Sequence, residues 1–158
     1  MAVQIRALDP ATDAESCDRV IASLPYHFGQ ESGIAACAAA VRSQAGFVAD
    51  DDGDIVGFIT LDPPFPETVD ITWLAVRADR RRAGIGRLLI ERAVVDARER
   101  GATLLMVETV GPSEPDDPGV TDGYDTTRAF YARAGFVQLK EFLFEGWTDR
   151  AIVLVRVL

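Results

Sequence analysis

Apolar residues recur along the chain with two spacings, and each spacing predicts one type of secondary structure. Apolar and polar side chains alternate over residues 3–8, which predicts a short strand. Helical spacing then follows in two places. The first helix is predicted to begin at Asp13 and to end at Pro25, and the second, rich in alanine, to span residues 31–43.

A hairpin and a third strand are predicted next. Residues 46–50 and 55–61 have strand composition and are joined by the turn Asp51-Asp52-Gly53. An Asp-Gly pair is typical of a hairpin, although this turn is expected to be one residue longer than the tightest kind. The proline-rich residues 62–66 predict a stiff loop, and residues 68–76 predict the following strand.

The second half of the chain continues the alternation of helix and strand. Gly101 is a natural stop for the helix predicted before it. The predicted elements are a helix over 84–100, a strand over 103–109, a long loop over 111–123, a short helix over 126–134, and strands over 136–144 and 151–158. No repeat or linker divides the sequence, so we expect one domain, residues 1–158, of the α/β class: an α+β sandwich in which helices cover a sheet.

Composition favours a globular protein with a sizeable core. The chain has 158 residues, of which 48% are hydrophobic and 26% charged. No apolar run is long enough to span a bilayer, and the first residues lack the apolar segment of a signal peptide, so we expect a cytoplasmic protein without membrane contact. With two cysteines outside any CxxC pair and a single histidine, a zinc site is not expected, nor is any other metal.

Charge argues against a nucleic-acid partner but for a local anion site. The net charge is −9, whereas phosphate binding over a broad surface needs an excess of basic residues. Five arginines nevertheless fall within eleven residues: Arg77, Arg80, Arg81, Arg82 and Arg87. This cluster predicts binding of an anionic ligand; the alternative is a solvated entrance to the helix that follows.

The segment Arg81-Arg82-Ala83-Gly84-Ile85-Gly86 lies between an apolar strand and an amphipathic helix. Free backbone N–H groups and the helix dipole at such a helix start attract anions, and glycines let a pyrophosphate approach closely. The dinucleotide fingerprint is excluded because Leu89 occupies the position of its third glycine. A Walker loop is excluded because the segment contains no lysine.

Together with its surroundings, this segment resembles the GNAT superfamily of N-acetyltransferases. The family's pyrophosphate motif, Gln/Arg-x-x-Gly-x-Gly/Ala, is matched by residues 81–86, and its preceding strand by Leu74-Ala75-Val76. Its helix-to-strand signature, with Phe-Tyr followed by Gly-Phe, is matched by residues 128–136. The resemblance implies a mixed, mostly antiparallel central sheet with a splayed pair of strands, flanked by about four helices.

The resemblance also implies a binding site for acetyl-CoA as cosubstrate. Leu74 would polarise the acetyl carbonyl through its backbone amide, and Val76 would pair with the pantetheine arm. Many members have an asparagine at the pantetheine arm where this chain has Tyr124, whose hydroxyl could make a contact instead. The implied coenzyme-binding residues are Leu74, Ala75, Val76, Arg81, Arg82, Ala83, Gly84, Ile85, Gly86, Arg87 and Tyr124.

Two residues are candidates for proton transfer. By resemblance Tyr131 lies near the coenzyme sulfur, with Phe130 as the expected core residue, and its phenol, with a pKa of about 10, could protonate the leaving thiolate. The alternative is that Phe130 and Tyr131 both serve helix packing. Asp70, four residues before Leu74, could accept the amine proton; Glu67 is the other candidate, and a solvated strand-end carboxylate is the alternative to both.

The expected activity is transfer of an acetyl group to a primary amine of a small molecule or peptide, by direct attack in a ternary complex. The competing hypothesis is a module that binds coenzyme A without turnover. His27 and its aromatic neighbours lie where the family places its acceptor pocket, and the acidic residues of loop 111–123 could attract a cationic amine. A homodimer is compatible with the sequence.

Overall fold

The computed structural model describes residues 3–24, 31–111, 124–143 and 150–158. In chain order the strands are β1 Gln4–Ala7, β2 Ala45–Asp51, β3 Asp54–Phe65, β4 Thr68–Val76, β5 Leu104–Val110, β6 Val137–Leu143 and β7 Arg150–Val157. The helices are α1 Pro10–Ala22, α2 Glu31–Ser43, α3 Ile85–Glu99 and α4 Asp125–Arg133. The element types and their order follow the sequence prediction.

The seven strands form one sheet in the order β1-β2-β3-β4-β5-β7-β6. Every neighbouring pair is antiparallel except β4 and β5, which run parallel. One core cluster includes residues of α3 and α4 on one face of the sheet, and a second includes residues of α1 and α2 on the other. The predicted mixed, mostly antiparallel sheet with flanking helices is therefore confirmed.

Helix α1 begins earlier than predicted. Asp9 caps it by accepting a hydrogen bond from the Ala11 amide at 3.1 Å, and Pro10 occupies the first turn, where its missing N–H costs nothing. Asp13 is instead a buried residue within the helix, and its carboxylate receives two hydrogen bonds of 2.8 Å from Arg6 of β1. The prediction of a start at Asp13 was wrong because a local pattern cannot distinguish a cap from a buried ion pair.

The turn between β2 and β3 has two residues, one fewer than predicted. Asp51 pairs directly with Asp54, which leaves Asp52 and Gly53 as the loop. Both have positive φ, 53° and 91°, as the tightest hairpin turn requires.

Strand β3 extends through the proline-rich segment that was predicted as a loop. Asp62 still pairs with Asp70 and Phe65 with Thr68, with an irregular register between them. Proline tolerates extended backbone where its missing N–H is not needed for the ladder, so the prolines here stiffen a strand end.

Both cysteines belong to the core beneath α1 and α2. Cys17 of α1 and Cys37 of α2 are each 0% exposed. Burial raises the pKa of each thiol to about 12.

Among the described helices, none has the length and apolar character needed to cross a membrane.

Candidate functional site

Strands β4 and β5 pair over only part of their length. The parallel ladder joins Thr68 to Leu104 and ends with Ile71 opposite Val107. Both strands continue beyond this point, β4 to Val76 and β5 to Val110. A gap therefore opens in the middle of the sheet, and the predicted splayed pair of strands is confirmed.

The backbone groups of Leu74 and Val76 face this gap. The Arg77 amide donates to the Val56 carbonyl of β3 at 2.8 Å, which fixes the alternation of backbone groups along the end of β4. In an antiparallel pair every second residue bonds to the partner and the residues between them face the other way. Leu74 and Val76 therefore present N–H and C=O groups toward β5, beyond Ile71, the last residue of β4 that pairs with β5.

The start of α3 lies beside the end of β4. Gly84 precedes the helix with a φ of 79°, a conformation that favours glycine. Leu88 donates to the Gly84 carbonyl at 3.1 Å, so the amides of Ile85, Gly86 and Arg87 precede the first intrahelical hydrogen bond. These amides and the positive end of the helix dipole can hold an anion.

At Gly86, helix α3 closely approaches both α4 and the end of β4. A Cβ atom at Gly86 would lie 3.1 Å from Cζ of Phe130 in α4 and 3.7 Å from Cγ2 of Val76. The absence of a side chain at Gly86 thus permits the approach of three elements around the anion-binding helix start.

The arginine cluster divides into paired and unpaired members. Arg77 forms ion pairs with Asp54 and Asp79 at 2.9 and 2.6 Å, and Arg80 with Asp51 at 2.7 Å. The expectation that the whole cluster serves an anionic ligand is therefore corrected, because these two guanidinium groups hold the β2–β3 turn and the segment after β4.

Arg87 also makes hydrogen bonds within the protein. Its Nε donates to Glu91 at 3.1 Å, and its Nη1 donates to the Arg133 carbonyl at the end of α4 at 2.7 Å. Arg87 therefore ties α3 to α4, with its side chain still about half exposed.

Arg81 and Arg82 remain available to a ligand. Both are exposed, as is Ala83, and neither arginine makes an ion pair within the described ranges. Arg82 has a φ of 66°, a strained conformation for a residue with a side chain. The loop thus exposes two guanidinium groups beside the start of α3, and neither has an ionic partner in the part of the chain that the structure describes.

Asp70 lies in an acidic part of the sheet on the face of α1 and α2. Its neighbours Val69 and Ile71 belong to the core under α3, so the alternation of the strand places Asp70 on the opposite face. It pairs with Asp62 of β3 and with Met106 of β5. Burial, with the added repulsion of Glu108 and Asp62, raises the pKa of Asp70 to about 6.

Glu67, the other sequence candidate, lies in the exposed turn before β4. Its carbonyl accepts hydrogen bonds from the Thr103 and Leu104 amides, which starts the parallel ladder. Glu67 is exposed, whereas Asp70 is half-buried.

Tyr131 and Phe130 exchange the positions expected of them. Tyr131 is the core residue, 5% exposed, with its ring 5.4 Å from that of Phe136. Phe130 is half-buried and packs against Gly86. The expectation that Phe130 is the core residue was wrong, because the face of α4 that packs against the core is the one that carries Tyr131. Burial raises the pKa of Tyr131 above its ordinary value, so the phenol stays protonated at neutral pH.

Tyr124 is the residue that directly precedes α4, and it is half-buried. In the same helix Arg128 donates from Nη1 to the Val110 carbonyl of β5 at 2.8 Å, so α4 contacts the β5 side of the gap. His27, its aromatic neighbours and nearly all of the 111–123 loop lie outside the described residues.

Sequence patterns missed several polar residues near the gap. Asp62 and Glu108 flank Asp70, and a hydrogen-bonded group of Gln44, Thr60 and Thr72 lies where β4 leaves β5. The only available signal was polar residues within otherwise apolar strands, which also describes an ordinary half-exposed sheet.

Comparison with known proteins agrees with this geometry. The family described as acetyltransferase (GNAT) domain matches residues 42–138, which include β4, the arginine and glycine loop and α4. A GNAT-family structure from Desulfovibrio desulfuricans superposes with a TM-score of 0.83 at 27% identity, covering 99% of each chain. Among curated proteins none matches the sequence.

Two more distant structures share the fold. A GNAT acetyltransferase from Elizabethkingia anophelis with acetyl-CoA bound has a TM-score of 0.71 at 18% identity, covering 99% of this chain and 98% of that one. The ribosomal-protein-S18-alanine N-acetyltransferase of Escherichia coli has a TM-score of 0.72 at 18% identity, covering 99% and 94%.

Proposed function

Because this chain belongs to the GNAT acetyltransferase family, we propose that it transfers the acetyl group of acetyl-CoA to a primary amine of a small molecule or peptide. The reaction is direct attack of the amine in a ternary complex. The observation that carries the proposal is the open side of β4, where Leu74 and Val76 expose backbone groups beside the start of α3.

The residues around the gap fit the coenzyme. The amides that begin α3, with the free side chains of Arg81 and Arg82, suit its pyrophosphate. Val76 would supply strand-like backbone hydrogen bonds to the amide-containing pantetheine arm of the coenzyme. Tyr124, which directly precedes α4, is the proposed side-chain contact to the same arm.

Leu74 supplies the electrostatic part of catalysis. Its N–H, unused by β3 and β5, donates to the acetyl carbonyl oxygen, on which negative charge develops as the amine attacks. A fixed backbone donor of this kind needs no reorganisation during the reaction. Removing one such donor costs about 10²–10³ in rate in enzymes where it has been tested.

Asp70 and Tyr131 carry the proton transfers. Asp70, with its pKa of about 6, is ionised at neutral pH yet basic enough to accept the amine proton, directly or through a water molecule. Tyr131 stays protonated and donates to the leaving thiolate. The two residues lie on opposite faces of the sheet, Asp70 on the face of α1 and α2 and Tyr131 on the face of α3 and α4.

The test is a panel of amines assayed by release of the coenzyme thiol. The panel includes small amines and peptides with a free N-terminus, since the similar E. coli structure is by name an enzyme acting on a protein alanine. We expect turnover with at least one amine. Binding of acetyl-CoA in calorimetry without turnover of any amine would favour the module that binds coenzyme without catalysis.

A further inference from the structure

A β-bulge in β4 coincides with the point where the two central strands part. Leu61 of β3 pairs with Ile71, but Thr60 pairs with Trp73, so Thr72 is an extra residue in β4. Ile71 is also the last residue of β4 to pair with β5. The bulge and the gap therefore begin at the same residue.

The extra residue changes which backbone N–H faces β5. Along a regular strand, the backbone groups of every second residue face the same neighbouring strand. After Ile71, the next residue of β4 to direct its N–H toward β5 would therefore be Trp73. The bulge shifts this role to Leu74 and increases the local twist. The backbone N–H groups of β4 then no longer lie opposite the backbone carbonyl groups of β5. The ladder between the two strands ends there, and the Leu74 N–H has no partner in β5.

Two side chains, of Gln44 and Thr60, hold the bulged residue Thr72 in place. The Thr72 hydroxyl donates to Oε1 of Gln44, and its oxygen lies 2.7 Å from the Thr60 hydroxyl. The single proton of Thr72 can go to Oε1 of Gln44 or to the Thr60 carbonyl at 3.2 Å, and in both cases the Thr60 hydroxyl is the donor to Thr72. Thr60 is 0% exposed, so losing this contact would leave a buried hydroxyl without a partner.

Gln44 is itself fixed by the end of α2. Its backbone N–H donates to the Ala40 carbonyl at 2.8 Å, which continues the helix hydrogen bonds of α2 by one residue. The three side chains thus connect α2, β4 and β3 at the base of the gap.

We propose that Gln44, Thr60 and Thr72 are positioning residues that hold the bulge, and through it the Leu74 amide, where the acetyl carbonyl oxygen binds. The inference rests on the proposed function, since it needs Leu74 as the donor. None of the three touches the reacting atoms; their effect is on the alignment of a backbone group two residues beyond Thr72.

The test measures the carbonyl of bound acetyl-CoA directly. Infrared spectra of [1-13C]acetyl-CoA, free and bound, report the hydrogen bond as a shift of the carbonyl band to lower frequency. We expect this shift in the unmodified protein and in Thr72→Ser, which keeps the hydroxyl. Thr72→Val and Gln44→Met should lose most of it, because neither can maintain the contact between the two side chains.

Kinetics with an amine found in the panel give a second readout. Thr72→Val and Gln44→Met should lower kcat by about ten- to a hundredfold, as small misplacements of catalytic groups do, while the affinity for coenzyme A is unchanged. The double variant should be little worse than Thr72→Val alone, since both changes break the hydrogen bond between Thr72 and Gln44. Thr12→Val, an exposed threonine of α1, is the matched control and should leave the band and kcat unchanged.

The outcomes separate the two ideas. A shifted band in the unmodified protein that persists in both Thr72→Val and Gln44→Met would overturn the positioning role alone. A band that is unshifted in the unmodified protein would overturn the Leu74 contact, and the inference with it. If Thr72→Val fails to fold in thermal unfolding, Gln44→Met and Thr72→Ser still decide the question.

Discussion

Asp70 lies where its charged form is destabilised, and this affects the stability of the fold. Its pKa rises from 3.8 to about 6 on folding, so the folded protein binds the proton more tightly than the unfolded chain. Protonation of Asp70 therefore adds to the free energy of unfolding below about pH 4, and this contribution is lost as the pH rises through about 6.

Asp70→Asn should remove this penalty. At pH 8 we expect the free energy of unfolding to rise by about 1–2 kcal/mol, less than the full linkage value of about 3 kcal/mol because the side chain is partly exposed. Denaturant unfolding at pH 8 and at pH 3.5 measures it, and the gain should vanish at the lower pH. Glu67→Gln, at the exposed turn, is the control and should change little.

The same carboxylate should govern the pH dependence of turnover. If Asp70 accepts the amine proton, kcat/KM of the unmodified protein rises as the pH passes about 6, and Asp70→Asn loses that limb. A limb at pH 6 that survives in Asp70→Asn would assign it to another group.

Tyr131→Phe separates packing from proton transfer. The ring sits in the core between Phe130 and Phe136, and phenylalanine keeps its shape. We expect unchanged coenzyme affinity and stability with kcat lower by roughly 10²-fold. Tyr124→Phe removes a hydroxyl at the start of the same helix and should instead weaken coenzyme binding. Equal kcat in Tyr131→Phe and the unmodified protein would assign Tyr131 to packing alone.

At the scale of elements, an ion pair joins α1 to the sheet. Arg6 of β1 contacts Asp13 of α1 with two hydrogen bonds and Asp50 of β2 with one of 2.9 Å. The Asp13 side chain is 3% exposed, and hydrogen bonds from Arg6 hold the pKa of its carboxyl below the usual range. Its contribution to stability is present at neutral pH and is lost as the pH falls through this lowered pKa.

Asp13→Ala should therefore lower the free energy of unfolding by about 2–3 kcal/mol at pH 7, since it leaves a partly buried guanidinium without its main partner. Asp18→Ala, in the same helix, breaks an exposed pair with Arg42 and should lower the free energy of unfolding much less than Asp13→Ala does. Chemical unfolding of both variants measures the difference. Equal losses would mean that burial of the Asp13 pair adds nothing.

Most elements could be predicted because their signals are local. Apolar periodicity, Gly101 and the Arg81-to-Gly86 motif each lie within one stretch of chain. The start of α1 and the end of β3 were missed because they depend on Arg6 and on the pairing with β4, which are distant partners.

The site divides in the same way. The helix start and the strand before it are contiguous in sequence, so the resemblance could identify them. The bulge at Thr72, the acidic neighbours of Asp70 and the inward turn of Tyr131 arise from strand register and packing between elements. Sequence periodicity does not determine which residues of two strands face each other.

At the scale of the whole molecule, the coenzyme must approach a protein of net charge −9. Within the described residues Arg81 and Arg82 form no ion pair, whereas the nearby Arg77 and Arg80 are paired with aspartates, so we expect the attraction to depend on Arg81 and Arg82 more than on their neighbours. We expect acetyl-CoA affinity to fall as salt screens this contact. Calorimetry at low and high ionic strength measures the slope.

Arg81→Gln and Arg82→Gln should each weaken binding by about two- to fivefold and reduce the salt dependence. Arg80→Gln is the matched control, because its guanidinium already faces Asp51, and it should leave the affinity nearly unchanged. A salt-independent affinity, or an effect of Arg80→Gln as large as that of its neighbours, would contradict this division of the cluster.

The burial of Cys17 and Cys37 also determines how turnover can be monitored. With both thiols fully buried and their pKa near 12, the native protein carries almost no thiolate at neutral pH and offers no sulfur to a chromogenic disulfide reagent. A colour change in the native reaction therefore counts released coenzyme alone. The same reagent added under denaturing conditions reports unfolded molecules through the two cysteines, so a single chemistry measures both catalysis and integrity of the fold.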